Sequence, residues 1–340
     1  MPTFCCPECF GDRGLRNDII PSLNPYRGTC GFCGSLNVDL IEPKKLADVF
    51  EMLIGIYEQD DGGKSLVEWM KDDWRIFSHE SMDNARANEL LGEILDNGEI
   101  VRKKFSPSDT YRSEGLARWE TLRDELMYNN RYFLDVDLDT DRLKELLDHL
   151  IADDLPEIWY RARILTDDVP YPIDKMGAPP KRLATHGRAN PTGIPYLYLG
   201  SRPDTAIAEI RPHTGEIACV AEFKFEGHLT AVDLREPRKL VSPFVLADAS
   251  AIGQMRADIP FLERLGEELT RPVLPRSAAL DYIPSQYLCE FIKKSGYSGV
   301  VYRSSVSVGM NLALFNPTLA TGGTVSQYDI SRVSVDVAQR

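Results

Sequence analysis

The chain has 340 residues, of which 43% are hydrophobic and 27% are charged, a composition typical of soluble globular proteins that excludes a largely disordered chain. Its net charge of −13 disfavours nucleic acids and anionic lipids as partners. No apolar run reaches the roughly 18 residues needed to cross a bilayer, and the N-terminal stretch MPTFCCPECF lacks the basic and apolar regions of a signal peptide. We therefore expect a cytoplasmic protein with no membrane partner, built from two or three domains.

The N-terminal segment carries two closely spaced cysteine pairs. They are Cys6-x2-Cys9 and Cys30-x2-Cys33, separated by 20 residues, and this spacing is typical of a four-cysteine zinc site. Four protein thiolates leave no position for water on the ion, so the predicted zinc is structural. The segment is rich in glycine, proline and asparagine and lacks helical periodicity, so we expect a loop-built module held by the metal in place of a core. Cys5 is a spare thiol that could compete with Cys6.

Three domains are predicted from shifts in the sequence pattern. Residues 1–40 form the cysteine module. Apolar residues then repeat every three or four positions, which predicts amphipathic helices and a helical bundle over residues 41–155. An acidic stretch that ends at Pro156 places the next boundary near residue 155. The apolar stripes are Leu46, Val49, Phe50, Leu53, Ile54 and Tyr57; Leu90, Leu91, Ile94 and Leu95; Leu116, Trp119, Leu122 and Leu126; and Leu143, Leu146, Leu147 and Leu150.

Residues 156–340 contain stretches in which apolar and polar side chains alternate, a pattern that predicts strands. The strands are expected in IWYRARI, YLYLG, CVAEFKF, LTAVDL, GVVYRS and NLALF, with helices near 203–211, 260–270 and 285–295. Short strands mixed with few helices favour an α+β fold over a doubly wound parallel sheet. No GxGxxG or GxxxxGK(S/T) phosphate loop occurs, which disfavours a Rossmann dehydrogenase and a P-loop nucleotide hydrolase.

One stretch of this domain, GRANPTGIPYLYLGSRPDTAIAEIRP, spaces three chemically distinct side chains along a loop, a strand and a helix. Turn residues flank Arg188, so its guanidinium is displayed from a loop and is free to bind an anion. Tyr198 follows in an alternating strand, where its ring serves either a ligand or a cross-strand contact. Glu209 lies on the helix TAIAEI among small and apolar residues, where a carboxylate is rarely needed for packing.

This stretch, together with SQYLCEFIKKSGYSGVVYRSSVSVGMNLALFNP, resembles the RES-domain family, which is named for an arginine, a glutamate and a serine. The resemblance covers roughly residues 158–330. It implies a fold akin to ADP-ribosyltransferase toxins and an enzyme that destroys NAD by cleaving its nicotinamide glycosidic bond, with phosphate or water as the acceptor. Many small members are toxins paired with an antitoxin, and longer members carry zinc-and-helix extensions. The resemblance thus implies a toxin or defence effector with an antitoxin or a regulatory protein as a partner.

The resemblance also implies site residues. The family arginine falls on Arg188, its tyrosine on Tyr198 and its glutamate on Glu209, and its serine is assigned to Ser304, with the adjacent Ser305 as the alternative and as a substrate-binding residue. Arg188 is expected to pair with the pyrophosphate of NAD, and Tyr198 to stack on nicotinamide. Glu209 is expected to stabilise the sugar cation that forms as nicotinamide leaves, and Ser304 to hold Glu209 or the ribose.

Two further arginines, Arg161 and Arg163, alternate on one predicted strand face. We expect them to add a substrate-binding contact to an anion, although a surface salt bridge explains them equally well. Other functions stay open, since a related enzyme could transfer ADP-ribose to a protein target. Arg142 and His149 lie seven residues apart on one helical face, as in HEPN-type ribonucleases. A non-enzymatic zinc-ribbon interaction protein and a homo-oligomer also stay open.

Overall fold

The computed structural model describes residues 3–167 and 169–334. Within these residues the chain forms two compact units, whose ranges are Met1–Leu116 with Glu236–Phe261 and Ala117–Arg235 with Leu262–Arg340. The predicted domain boundaries near residues 40 and 155 stay predictions. No helix within the described ranges is long and apolar enough to span a membrane.

Each of the four predicted apolar stripes lies mainly on one helix, the third, fifth, sixth or seventh α-helix, but Tyr57 begins a strand and Leu150 follows the end of the seventh helix. Side chains cap the start of several helices: Ser65, Asp83, Asp139 and Asp248 each accept a hydrogen bond from an N–H of the first turn. The α-helices are α1 Pro7–Phe10, α2 Ile20–Ser22, α3 Ala47–Ile54, α4 Leu66–Trp74, α5 Asn84–Ile94, α6 Gly115–Tyr128, α7 Thr140–Asp148, α8 Pro203–Glu209, α9 Pro237–Leu240, α10 Ala249–Thr270, α11 Ala278–Asp281 and α12 Ile283–Lys294. A π-helix spans Leu15–Ile19, and 3-10 helices span Pro43–Leu46, Ile100–Arg102, Ile173–Lys175, Lys181–Leu183, Pro243–Val245 and Pro317–Leu319.

The strands of the described residues form two small antiparallel sheets in the first unit and one large sheet in the second. The small sheets pair β1 with β2 and β3 with β4, and the large sheet has the order β11-β7-β5-β6-β10-β9-β8. The strands are β1 Tyr26–Gly28, β2 Val38–Leu40, β3 Tyr57–Lys64, β4 Phe105–Pro107, β5 Trp159–Ile164, β6 Leu197–Gly200, β7 Ile217–Phe225, β8 Ala231–Asp233, β9 Gly299–Arg303, β10 Met310–Leu314 and β11 Ala320–Asp329.

The large sheet confirms the predicted α+β fold. Its strands pair antiparallel except for β8 and β9, which run parallel. All six predicted strand segments are strands in the structure, because each alternates between the sheet faces or lies in its interior. The buried cluster of this unit includes Trp159, Leu199, Phe223, Val301 and Leu312. The sheet thereby supplies a rigid base for the loop and helix that follow β5 and β6.

The cysteine module has a hydrophobic core. The prediction that a metal takes the place of a core is therefore wrong. Phe10 is fully buried, and its ring centroid lies 5.6 Å from those of Phe50 and Phe77. Leu15 and Ile20 are also fully buried. The module therefore shares an aromatic core with α3 and with the residues that follow α4, which a segment judged by itself could not reveal.

The substitution Phe10→Ala tests this shared core. Removal of a fully buried aromatic ring is expected to lower the free energy of unfolding of the first unit by about 3 to 5 kcal/mol. Denaturant unfolding of the full-length chain measures the change, with Leu36→Ala as the control because Leu36 is 75% exposed. A Phe10→Ala chain as stable as the control would contradict the packing.

Candidate functional site

Four cysteine thiols converge in the first unit and are placed to hold one metal ion such as zinc. The Sγ atoms of Cys6, Cys9, Cys30 and Cys33 all lie within 4.8 Å of one another, and all four residues are buried. The separations are 3.4 Å for Cys6–Cys33, 3.3 Å for Cys9–Cys30 and 4.0 Å for Cys6–Cys9. Zinc with Zn–S bonds of about 2.3 Å in a tetrahedron needs sulfur atoms about 3.8 Å apart, so the four thiols fit this ion.

Local geometry explains why these four thiols meet. Cys6 and Cys9 sit at the start of and within α1, while Cys30 and Cys33 lie in the turn that follows β1. That turn is closed by Gly34, whose φ of +79° favours glycine. Cys5 does not belong to the group, because its thiol points to the carbonyl oxygen of Ile41 at 3.8 Å. The spare cysteine is thus occupied elsewhere.

A cavity of about 510 Å³ lies in the second unit, on the sheet that carries β5, β6 and β10. Five of the seven substrate-site residues predicted from the sequence line it: Arg161, Arg188, Tyr198, Glu209 and Ser305. The other two, Arg163 and Ser304, are not among its lining residues. The loop, strand and helix of the stretch GRANPTGIPYLYLGSRPDTAIAEIRP therefore meet around one space.

Glu209 is the last residue of α8 and is exposed. Its neighbours on the helix are small and apolar, but its Oε1 accepts hydrogen bonds from Ser304 Oγ at 2.7 Å and from Asn311 Nδ2 at 2.6 Å. A negative charge in the last turn of a helix opposes the helix dipole. Helix stability therefore does not account for this carboxylate.

Arg188 and its loop are held by four residues of the stretch that leads into α12 and forms its first turn. Its Nη1 donates to the carbonyl oxygen of Arg271 at 2.8 Å, and its guanidinium carbon lies 5.2 Å from the ring centroid of Tyr282. Ser285 Oγ donates to the Arg188 carbonyl oxygen at 2.6 Å, and Gln286 Nε2 donates to that of Gly187 at 2.8 Å. The loop is fixed at both backbone and side chain, so the guanidinium is displayed in a defined position.

Tyr198 ties the same loop to the sheet. Its hydroxyl donates to Asn190 Oδ1 at 2.7 Å and accepts from the Ala189 N–H at 2.9 Å. Burial raises the pKa of the Tyr198 phenol above its ordinary value, so it stays neutral and can donate at physiological pH. A Cβ on Gly187 would lie 2.5 Å from the Tyr198 hydroxyl, which requires glycine there. The hydroxyl thus positions the loop, while the ring lines the cavity.

Arg161 is a half-buried cation for which the described residues supply no acidic partner. Its Nη1 donates to the Tyr198 carbonyl oxygen at 3.3 Å, and within the described part of the chain its Nε has no hydrogen-bond partner. Burial, followed by the charge of Arg163, lowers the pKa of Arg161 to about 10, so it keeps its charge at neutral pH. A buried charge with no counter-ion is unfavourable unless a ligand supplies one.

Arg163 is exposed and lies outside the cavity lining. Its Nη1 donates to the carbonyl oxygen of Lys175 at 2.5 Å, and its guanidinium carbon lies 4.6 Å from the ring centroid of Tyr171. The structure thus places Arg161 at the cavity and Arg163 outside its lining.

Arg142, which sequence analysis paired with His149, lies on α7 and forms an ion pair with Glu145 at 3.0 Å.

The model of the RES domain matches residues 158–332 of the chain. The chain belongs to the RES-domain family. One solved structure that resembles this RES-family protein is the crystal structure of the M. tuberculosis MbcT–MbcA toxin–antitoxin complex. The matched chain of that complex shares 13% sequence identity with the present chain, with a TM-score of 0.33. The match covers 56% of this chain and 93% of that one. No curated protein matches this chain.

Sequence reasoning missed two asparagines of this RES domain. Asn190 is buried, and its Nδ2 donates to the carbonyl oxygens of Thr185, Pro191 and Ile194 at 2.9 to 3.0 Å. Asn311 is 4% exposed and contacts Glu209. Asn190 stands in the turn-rich sequence ANPTG, where asparagine is a signal of local backbone bonding. Asn311 gives a weaker signal, as a polar residue in the apolar strand MNLAL.

The substitution Tyr198→Phe tests the role of the tyrosine hydroxyl. It keeps the ring but leaves Asn190 Oδ1 and the Ala189 N–H without this partner, which is expected to lower the free energy of unfolding by about 1 to 3 kcal/mol. Denaturant unfolding measures the loss, with Tyr132→Phe as a control because Tyr132 is 91% exposed. Equal stability of the two variants would show that the hydroxyl does not hold the loop.

Proposed function

We propose that this RES-domain protein cleaves the nicotinamide glycosidic bond of NAD. The observation that carries the proposal is the Glu209 carboxylate, held at the edge of a cavity by two neutral donors and accompanied there by Arg161 and Arg188. One carboxylate beside two guanidinium groups suits a substrate that carries a pyrophosphate and develops positive charge on a sugar.

The chemistry needs little else from the protein. Nicotinamide in NAD is a cationic leaving group that becomes neutral as it departs, so its expulsion needs no general acid. The ribose left behind acquires positive charge only as the bond breaks. A carboxylate beside it therefore stabilises the transition state more than the ground state. In this proposal Glu209 supplies that charge, and Ser304 holds it.

In this proposal the two arginines bind the anionic groups of the substrates. Arg188, displayed from the loop, pairs with the pyrophosphate. Arg161, to which the described residues offer no acidic partner, binds either a second oxygen of the pyrophosphate or the phosphate that attacks the ribose. Ser305 adds a hydroxyl at the same cavity. Phosphate gives phosphorolysis and water gives hydrolysis, and transfer of ADP-ribose to a protein remains the alternative outcome of the same bond cleavage.

Membership of the RES-domain family supports a biological role as a toxin or defence effector that depletes NAD in the cytoplasm. An enzyme of this kind needs an antitoxin or a regulatory protein as its partner, since uncontrolled turnover would poison its own cell. We further propose that the four-cysteine group binds zinc and that this zinc stabilises the N-terminal fold. Four thiolate ligands leave no open position on the ion for catalysis.

The substitution Glu209→Gln tests the reaction. It keeps the shape of the side chain and removes its charge, so nicotinamide release from NAD is expected to fall roughly a hundredfold or more. Release is followed by chromatography of the products, with Glu226→Gln, an exposed glutamate of the loop after β7, as the matched control. A Glu209→Gln enzyme that works at the wild-type rate would exclude Glu209 as the source of the stabilising charge.

The substitution Arg188→Ala separates binding from catalysis. A contact to the pyrophosphate is made equally in the ground state and in the transition state, so KM for NAD should rise while kcat changes little. Steady-state kinetics over a range of NAD concentrations distinguishes the two parameters. A large fall in kcat with unchanged KM would assign Arg188 to the transition state instead.

Zinc analysis tests the metal centre. Protein purified without chelators is expected to contain one equivalent of zinc, and Cys9→Ser to lower both the zinc content and the stability of the N-terminal fold. Cys219→Ser is the matched control, because Cys219 is buried in the sheet of the second unit. Less than about a tenth of an equivalent in the wild-type protein would exclude a resident zinc ion.

A further inference from the structure

We propose that Asn311 is a positioning residue that fixes the carboxylate of Glu209 for reaction, so that Oε1 is held by the protein and Oε2 is the oxygen that meets the substrate. This inference rests on the proposed function, in which Glu209 stabilises the ribose cation. Asn311 and Glu209 are 102 residues apart in sequence, and they meet because β10 runs beside the strand that leads into α8.

The two donors saturate one oxygen of the carboxylate. Ser304 Oγ lies 2.7 Å and Asn311 Nδ2 lies 2.6 Å from the same atom, Glu209 Oε1. A carboxylate oxygen has two lone pairs, so two donors fill its capacity. Glu209 Oε2 accepts no hydrogen bond from any described side chain or backbone group, which leaves this oxygen available to a ligand.

Both donors are themselves anchored by neighbouring backbone. The hydroxyl of Ser304 accepts a hydrogen bond from the Val306 N–H at 3.2 Å, which orients its own proton toward Glu209. Asn311 lies in β10 between two paired strands, opposite Gly200 on β6 and Tyr302 on β9. Glu209 is exposed, but rotation of its carboxylate would break the hydrogen bonds to Ser304 and Asn311, because these two donors are fixed by their own neighbours.

Burial of Asn311 is not explained by packing. The residue is 4% exposed and stands between apolar neighbours in MNLAL, where an apolar side chain would be the more stable choice. A buried amide must be hydrogen-bonded, and within the described part of the chain the hydrogen bond from its side chain goes to Glu209. The position is therefore committed to the carboxylate.

Two variants test the role by kinetics. Asn311→Ala removes the donor, so kcat for nicotinamide release should fall by about tenfold to a hundredfold while KM for NAD changes little, because a misplaced catalytic group affects the transition state most. Ser304→Ala should act in the same way. Asn316→Asp, in an exposed turn of the same unit, is the control and should keep the wild-type rate.

Asn311→Asp adds a readout that loss of stability would not produce. At high pH the new carboxylate repels Glu209, whereas at low pH a shared proton restores a donor between them. Its activity relative to the wild-type enzyme should therefore rise as the pH falls from 8 to 5, while the relative activity of Asn311→Ala stays flat.

Dividing the activity of each variant by the wild-type activity at the same pH removes the contribution of the other ionisable groups of the cavity. These groups are the guanidinium groups of Arg161, Arg188 and Arg211, the imidazole of His186, and the phenols of Tyr198, Tyr282 and Tyr302. Burial raises the pKa of both Tyr198 and Tyr302 above the ordinary value, so neither of these two phenols ionises between pH 5 and 8. A flat relative activity for Asn311→Asp, or wild-type kcat in Asn311→Ala, would overturn the inference.

Crystal structures of the wild-type protein and Asn311→Ala provide a second test that does not depend on turnover. The wild-type crystal should show Oε1 of Glu209 bound by Ser304 and Asn311, and the variant should show the carboxylate rotated or spread over several conformers. An unchanged Glu209 conformer in the variant would overturn the inference. If wild-type protein releases no nicotinamide from NAD, the proposed function fails, and the crystal comparison alone decides the role of Asn311.

Discussion

The site depends on a carboxylate that is placed where the helix itself does not favour it. Glu209 ends α8, so the helix dipole opposes its charge, and its side chain reaches solvent. Two neutral donors, Ser304 and Asn311, compensate by binding one of its oxygens. Neutral donors hold the carboxylate without neutralising it, whereas a lysine or arginine in their place would cancel the negative charge on which the proposed reaction depends.

The second feature of the site is the loop that carries Arg188, which hydrogen bonds hold in place. Asn190 bonds to three carbonyl oxygens of its own loop and to the hydroxyl of Tyr198. These hydrogen bonds make the loop rigid. In the proposed reaction, Arg188 therefore loses little conformational entropy when it binds the pyrophosphate. The same tyrosine belongs to β6, which leads into α8, so loop and carboxylate share one support.

Much of the second unit could be predicted from sequence because its signals are local. The six predicted strands alternate or are continuously apolar, and the spacing of Arg188, Tyr198 and Glu209 follows a loop, a strand and a helix. The strand β11 was not predicted, since most of its side chains are exposed and it contains two glycines. It forms through backbone pairing with β7, which leaves little trace in the side-chain pattern.

The remaining features depend on residues that are distant in sequence. The contact of Asn311 with Glu209 could not be predicted, because it forms only when β10 pairs with β6, the strand that leads into α8. Phe10 packs on Phe50 and Phe77, which lie beyond the segment that sequence analysis assigned to the cysteine module. In contrast, the group of Cys6, Cys9, Cys30 and Cys33 was predicted from sequence because each pair is local and the spacing between the pairs is characteristic.

The most direct test of the central claim, that Glu209 stabilises a cationic ribose, compares NAD with NAD deuterated at C1′ of the nicotinamide ribose. Under single-turnover conditions, where bond cleavage sets the rate, the labelled substrate should react more slowly, because C1′ flattens as the oxocarbenium-like transition state forms. Equal rates for the two substrates under these conditions, or no nicotinamide release from either, would contradict the account.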